Sequence, residues 1–142
     1  MITMSASLLL RIASIISFFF AAGHTMGGLK LWSPMGENAV LQSMRAVKFD
    51  VMGVSRSYLD FFVGFGYSLT VAQLVQAVIL WQMATMARTN AVAVRPMIAV
   101  FAIAGIASTI LAWRFIFPMP TVFAAVLTGV IIAAYFAAAK SP

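Results

Sequence analysis

Four long stretches of this chain carry almost no charge. They cover about residues 7–25, 58–86, 96–117 and 121–139, and each is close to or above the ~20 apolar residues that a helix needs to cross a bilayer. Inside hydrocarbon a backbone N–H or C=O finds no water, so a run of this length must satisfy its own polar groups as a helix. The composition agrees: of 142 residues, 63% are hydrophobic and 8% charged, with a mean hydropathy of +1.04. A soluble domain carries about a quarter charged residues, and a disordered one combines high charge with low hydrophobicity. The expected fold is all-α: an integral membrane four-helix bundle, one transmembrane domain over residues 1–142.

Nine Lys/Arg against three Asp/Glu give a net charge of +6. The basic residues stand singly between apolar runs, with no stripe to lie along phosphates, so no nucleic-acid partner is expected. Their expected role is to orient the spans. Four crossings put both termini on one side, with Arg11, Arg88, Arg95 and Lys140, and leave Lys30, Arg45, Lys48, Arg56 and Arg114 on the other. Several charges of the second group are taken up by the loop they belong to, so both termini are expected in the cytoplasm. The chain has no cysteine and one histidine, His24. Disulfides, thiolate nucleophiles, iron–sulfur ligation and multi-histidine metal sites are thereby excluded. Glycine-rich phosphate loops and the GxSxG elbow are also missing, and no cofactor is expected.

The first span carries only Arg11, whose long stem reaches the headgroups. Arg11, the apolar Ile12–Phe20 and the small Ala21–Gly23 also outline a signal peptide; the segment is read here as a retained span. In the third span Pro96 is expected near the first helical turn, where its missing N–H is harmless. Trp113 and Arg114 mark the exit, the run Pro118–Pro120 stops the helix, and Lys140 ends the fourth span. The last two spans therefore make a tight antiparallel hairpin. On the fourth, Ala125, Gly129, Ala133 and Ala137 recur every four residues; Ala104, Ser108 and Ala112 make a shorter stripe on the third. Small residues at this spacing let two backbones approach closely. The stripes suit packing within the hairpin, or a membrane-protein partner or second copy.

Polar chemistry gathers elsewhere. All three acidic residues, the histidine and four of the nine basic residues fall between His24 and Asp60. Within this stretch residues 39–50 have helical periodicity, with Val40, Met44, Val47 and Val51 on one face. An amphipathic interfacial helix between spans 1 and 2 is expected there, lying in the membrane plane or folding over the bundle as a lid. The second span opens with Arg56, Ser57, Tyr58 and Asp60. Arg56 and Asp60 are one turn apart, so they suit a cap and ion pair at the helix start. Equally, Arg56 suits an anion anchor oriented by Asp60. Phe61, Phe62, Gly64, Phe65, Gly66 and Tyr67 then alternate aromatics with glycines. A helical glycine costs about 1 kcal/mol relative to alanine, so close packing of another helix or room for a ligand is implied. His24 is either a helix-end anchor or, paired with Asp60, a general base. His24 with Glu37, Asp50 or Asp60 is a thinkable ligand set whose spacing is not diagnostic, and no metal is expected. Gln73 and Gln76 are the only strongly polar groups in mid-span, which argues against a proton-coupled pump.

The motifs LRIAS, then GHT at the end of the first span, then RSYLDFFVGFG opening the second, cover about Leu10 to Tyr67. In these the chain resembles a group of small uncharacterised bacterial four-helix integral membrane proteins, and more faintly the DoxX-like four-helix family. The resemblance implies a bacterial inner-membrane protein in which His24, Arg56, Ser57, Asp60, Gly64 and Gly66 are parts of one site. It brings no established activity. Microsomal glutathione-transferase-like proteins share the size and span number, but their Arg/Asn/Glu pattern on the helices is missing here.

Two functions are compatible with these residues. In the first, a polar site at one bundle mouth binds, or acts on, a lipid-like or hydrophobic small molecule. His24 and Asp60 are the candidate catalytic groups, and Arg56, Ser57, Glu37, Tyr58, Phe61 and Gly64 the candidate ligand-binding ones. In the second, the chain is a non-enzymatic subunit of a membrane assembly or homo-oligomer that docks through Ala125, Gly129, Ala133 and Ala137.

Overall fold

The computed structural model describes residues 4–30, 33 and 35–139. Helix α1 (Ala6–Gly23) continues into a π-helical segment, His24–Lys30. Helix α2 (Ala39–Ala46), strands β1 (Lys48–Val51) and β2 (Val54–Ser57), and helices α3 (Tyr58–Met86), α4 (Ala91–Phe115) and α5 (Pro118–Ala138) follow. Among the described residues four helices are long and apolar enough to cross a membrane: Ala6–Gly27, α3, α4 and α5. Lys140, expected to end the last span, lies outside the described residues. The chain divides into two compact units, one made of the chain up to Phe20 and from Leu74 onward, the other of Ala21–Gln73.

In the first unit all four long helices supply one core, with Leu10, Leu80, Met83, Val94, Ile98 and Ile131 fully buried. Serines tie α1 to α3: Ser7 Oγ donates to Ala84 O at 2.7 Å and Ser14 Oγ to Ala77 O at 2.6 Å. Such small hydroxyl residues let helices approach and bond across hydrocarbon. Arg11 lies over the Trp81 ring at 4.9 Å, and Arg95 over Tyr135 at 4.3 Å. Their charges are thus spread on aromatic faces.

Helices α4 and α5 form the expected hairpin, but its details differ from the sequence reading. Asn90 Oδ1 accepts from Ala93 N at 3.0 Å and caps α4 at Ala91, so Pro96 sits beyond the first turn. It removes a helical donor there, a loss that membrane helices tolerate. Pro118–Pro120 begin α5 rather than ending α4, since a proline at the first helical position replaces a donor with no partner anyway. The preceding Phe117 is extended, as a residue before proline prefers. The packing faces differ too. On α5 the buried residues are Ala124, Leu127, Thr128, Ile131, Ala134 and Ala138, while Ala125, Gly129 and Ala133 are exposed. On α4 they are Ala91, Val94, Ile98 and Ala102, whereas Ala104 and Ser108 are exposed. The close approach falls at Gly105, where a Cβ would overlap the Thr128 hydroxyl. Leu127 and Ile131 fill the core, and their helical face carries the neighbouring small residues inward with them.

In the second unit the helix expected over residues 39–50 is shorter. Asn38 caps α2 by accepting from Leu41 N at 3.1 Å. Val47, already extended, ends the helix by donating its N–H to Ser43 O at 2.9 Å. The buried residue is Leu41, not the Val40 face. Beyond it β1 and β2 form an antiparallel hairpin, pairing Lys48 with Ser57, Phe49 with Arg56, Asp50 with Ser55 and Val51 with Val54. The expectation of an all-α chain therefore gives way to a mainly helical one with a two-stranded hairpin. The residues alternate and the two-residue turn Met52-Gly53 takes positive φ, 53° and 78°, which suits the twist of paired strands. Glycine adopts this conformation freely, whereas Met52 does so at a cost of about 1 kcal/mol. Tyr58 N–H donates to Val47 O at 3.4 Å and closes the base of the hairpin.

Candidate functional site

The hairpin delivers the chain into α3 through a reciprocal cap. Ser57 N–H donates to Asp60 Oδ2 at 2.9 Å, and Asp60 N–H to Ser57 Oγ at 3.1 Å. This is a capping box with aspartate in the place of the usual glutamate. Both residues are thereby committed to the helix start. Arg56 is not paired with Asp60; its Nη1 donates to Ser55 O at 2.8 Å. That contact uses one of the guanidinium's five donors and keeps the head at the rim of α3.

Below this rim Arg56, Asp60, Phe61, Gly64, Phe65 and Ser68 line an open notch of about 310 Å³. From Asp60 the spacings to Gly64 and Ser68 are four and eight residues, so the three share one helix face. Ser68 Oγ turns back to Gly64 O at 3.0 Å. Nothing stands within 4 Å of where a Cβ on Gly64 would be, so the backbone itself is the floor of the notch. Phe61 and Phe65 stack edge to face along one wall, their centroids 4.8 Å apart. Phe49 from the hairpin extends the row, 5.1 Å from Tyr58 and 5.8 Å from Phe61.

His24 belongs to a different contact. Its Nε2–H donates to Gly66 O at 3.0 Å. Gly66 is six residues beyond Asp60, about 9 Å along the helix and on another face. Thr25 Oγ1 donates to Ala21 O at 2.9 Å and lies 3.0 Å from the Thr70 hydroxyl, while Thr70 Oγ1 also donates to Gly66 O at 3.3 Å. A Cβ on Gly66 would overlap a δ-carbon of Leu29. The π-helical turn is therefore latched to α3 by His24, Thr25 and Leu29, and Gly66 is the space it needs. Among the described residues no hydrogen bond or ion pair joins His24 to Asp60, so the proposed base and its orienter are not brought together.

The chain matches no family model, no curated protein and no solved structure.

Glu37 is engaged away from the notch lining: Arg45 Nη1 donates to Glu37 Oε1 at 3.2 Å, an exposed ion pair. Such pairs contribute roughly 0–1 kcal/mol. Of the candidate residues, then, Arg56, Asp60, Phe61 and Gly64 line one notch, Ser57 and Tyr58 shape its rim, and His24 and Glu37 serve other contacts. Phe65 and Ser68, outside the candidate set, complete the lining; each lies four residues beyond a candidate, Phe61 or Gly64, and so shares its face. Among the described residues no group of three metal-ligating side chains gathers. A second open groove, about 540 Å³, runs between α1 and α3 in the first unit along Ile15, Phe18, Val78 and Trp81. It is larger, and apart from Ser14 and Gln82 its lining is apolar.

Proposed function

We propose that the notch at the head of α3 binds an amphiphile with an anionic end, a lipid or a lipid-like hydrophobic small molecule, in a bacterial inner membrane. The observation that carries this reading is the lining of one open volume. A guanidinium stands at its rim, bare helix backbone at Gly64 forms its floor, and two phenylalanines packed edge to face form its wall. A volume of about 310 Å³ suits a headgroup and the first carbons of a chain, leaving the remainder on the exposed helix surface. Arg56 has four N–H donors beyond the one given to Ser55, enough for bidentate contact with a phosphate or carboxylate. Phe61 and Phe65 cover the apolar part. Asp60 and Ser57 hold the helix start, and His24 holds the π-helical turn, so binding rather than proton transfer is the function favoured.

The test is a mass-spectrometric inventory of the molecules that co-purify with wild-type protein and with Arg56→Ala. Retention of one anionic amphiphile, reduced about tenfold in the variant, is expected for the loss of one charge-assisted contact. Equal retention of all lipids by both proteins contradicts the reading.

A second reading, association with another membrane helix or a second copy, is favoured by the exposure of Ala125, Gly129 and Ala133 on α5. Nothing lies within 4 Å of a Cβ built on Gly129, so this face has room for a close partner.

A further inference from the structure

The turn of the hairpin sets a methionine where glycine or asparagine fits best. Met52 takes φ of 53° and is 98% exposed, so its side chain gains no contact within the chain. Val51 and Val54, paired beside it, are exposed as well. Residues paired across an antiparallel ladder share a face, as do residues two apart on a strand. Phe49, Val51, Val54 and Arg56 therefore form one face, and Lys48, Asp50, Ser55 and Ser57 the other. The apolar face has a direction. Its root residue, Phe49, packs on Tyr58 and on Phe61, one turn into the span. The face that carries Val51 and Val54 is thus the one that meets α3 at its root, and β2 runs without a break into that helix.

We infer that the hairpin is a membrane-contacting finger whose tip, Val51, Met52 and Val54, rests in the lipid interface near the head of α3. The occupant is the bilayer rather than a protein, because Phe49, at the root of this face, packs on Phe61 of a helix already long and apolar enough to lie in lipid. Depth is limited by the backbone. A two-stranded hairpin has unpaired edge N–H and C=O groups, which do not enter hydrocarbon. The tip therefore stops at the headgroup–acyl boundary, the depth at which amphipathic elements rest. Methionine suits that place, being unbranched and polarizable. The inference does not depend on what fills the notch.

Because the chain lacks cysteine, single cysteines report without background. Met52→Cys, Val54→Cys, Asp50→Cys and Ser55→Cys, each labelled with an environment-sensitive fluorophore, are compared in lipid nanodiscs containing phosphatidylcholine brominated near the headgroup end of the acyl chain. All four are exposed, so the label displaces no packed group. Met52 and Val54 labels are expected to be blue-shifted and quenched at least threefold more than Asp50 and Ser55 labels. Equal, water-like signals at all four overturn the inference. So do Met52 and Val54 labels that are shielded from water yet not quenched by bromine, which would mean that a protein covers the tip.

Discussion

Gly64 and Gly66 lie two residues apart on α3 and do opposite things. Gly66 is filled from outside by Leu29, whereas Gly64 faces open space. Gly66→Ala should force the π-helical turn to shift and lower stability by about 1–3 kcal/mol, as overpacking does. Gly64→Ala should leave stability within about 0.5 kcal/mol, as surface changes do. Thermal unfolding in detergent micelles separates the two. Ser57→Ala removes one half of the capping box and should lose about 1 kcal/mol in the same assay. That both glycines need a reason is visible in the sequence. Which reason applies to each is not, because it depends on a π-helical turn that brings Leu29 back onto α3. The same turn gives His24 to Gly66 O, a carbonyl that no spacing rule points to.

At the scale of elements, the spans are visible in the sequence because a run of apolar residues has few alternatives in lipid. Their facing surfaces are harder. On α5 every side of the helix is apolar, so no polar stripe marks the outside, and small residues occur on two faces. The choice between Ala125–Gly129–Ala133 and Ala124–Thr128–Ala134 falls to the large Leu127 and Ile131, which fill the core. Gly105→Leu should therefore unsettle the α4–α5 hairpin through Thr128, lowering the unfolding temperature. Gly129→Leu should leave that temperature unchanged, while any dimer seen by native mass spectrometry is lost. The hairpin is hidden for another reason. Val51-Met-Gly-Val54 lacks the usual Asn-Gly turn signal, and its spacing of valines also satisfies a helical period.

Across the whole chain, charge is divided unevenly. Arg11, Arg88 and Arg95 have no acidic neighbour in sequence, while Glu37, Asp50 and Asp60 accompany Arg45, Lys48 and Arg56. Arg56 and Arg88 flank helix α3 in the sequence. If both termini are cytoplasmic, a membrane-impermeant maleimide should label Asp50→Cys on intact bacterial cells and Arg88→Cys only after permeabilisation; the reverse order would invert the topology. The composition makes the four long apolar helices legible at once, and the polar residues cluster in the segment that leads into α3, at whose head the notch lies. Its lining, and the assignment of His24 to a latch outside it, require the fold. The central claim is that the notch holds an anionic amphiphile through Arg56. It is tested most directly by placing a photo-crosslinking amino acid at Ser68, at the inner end of the notch, and identifying the adducts formed in native membranes by mass spectrometry. The predicted result is an adduct with one class of anionic amphiphile that disappears when Arg56→Ala is added. Adducts that are mainly protein, or lipid adducts indifferent to Arg56, would contradict it.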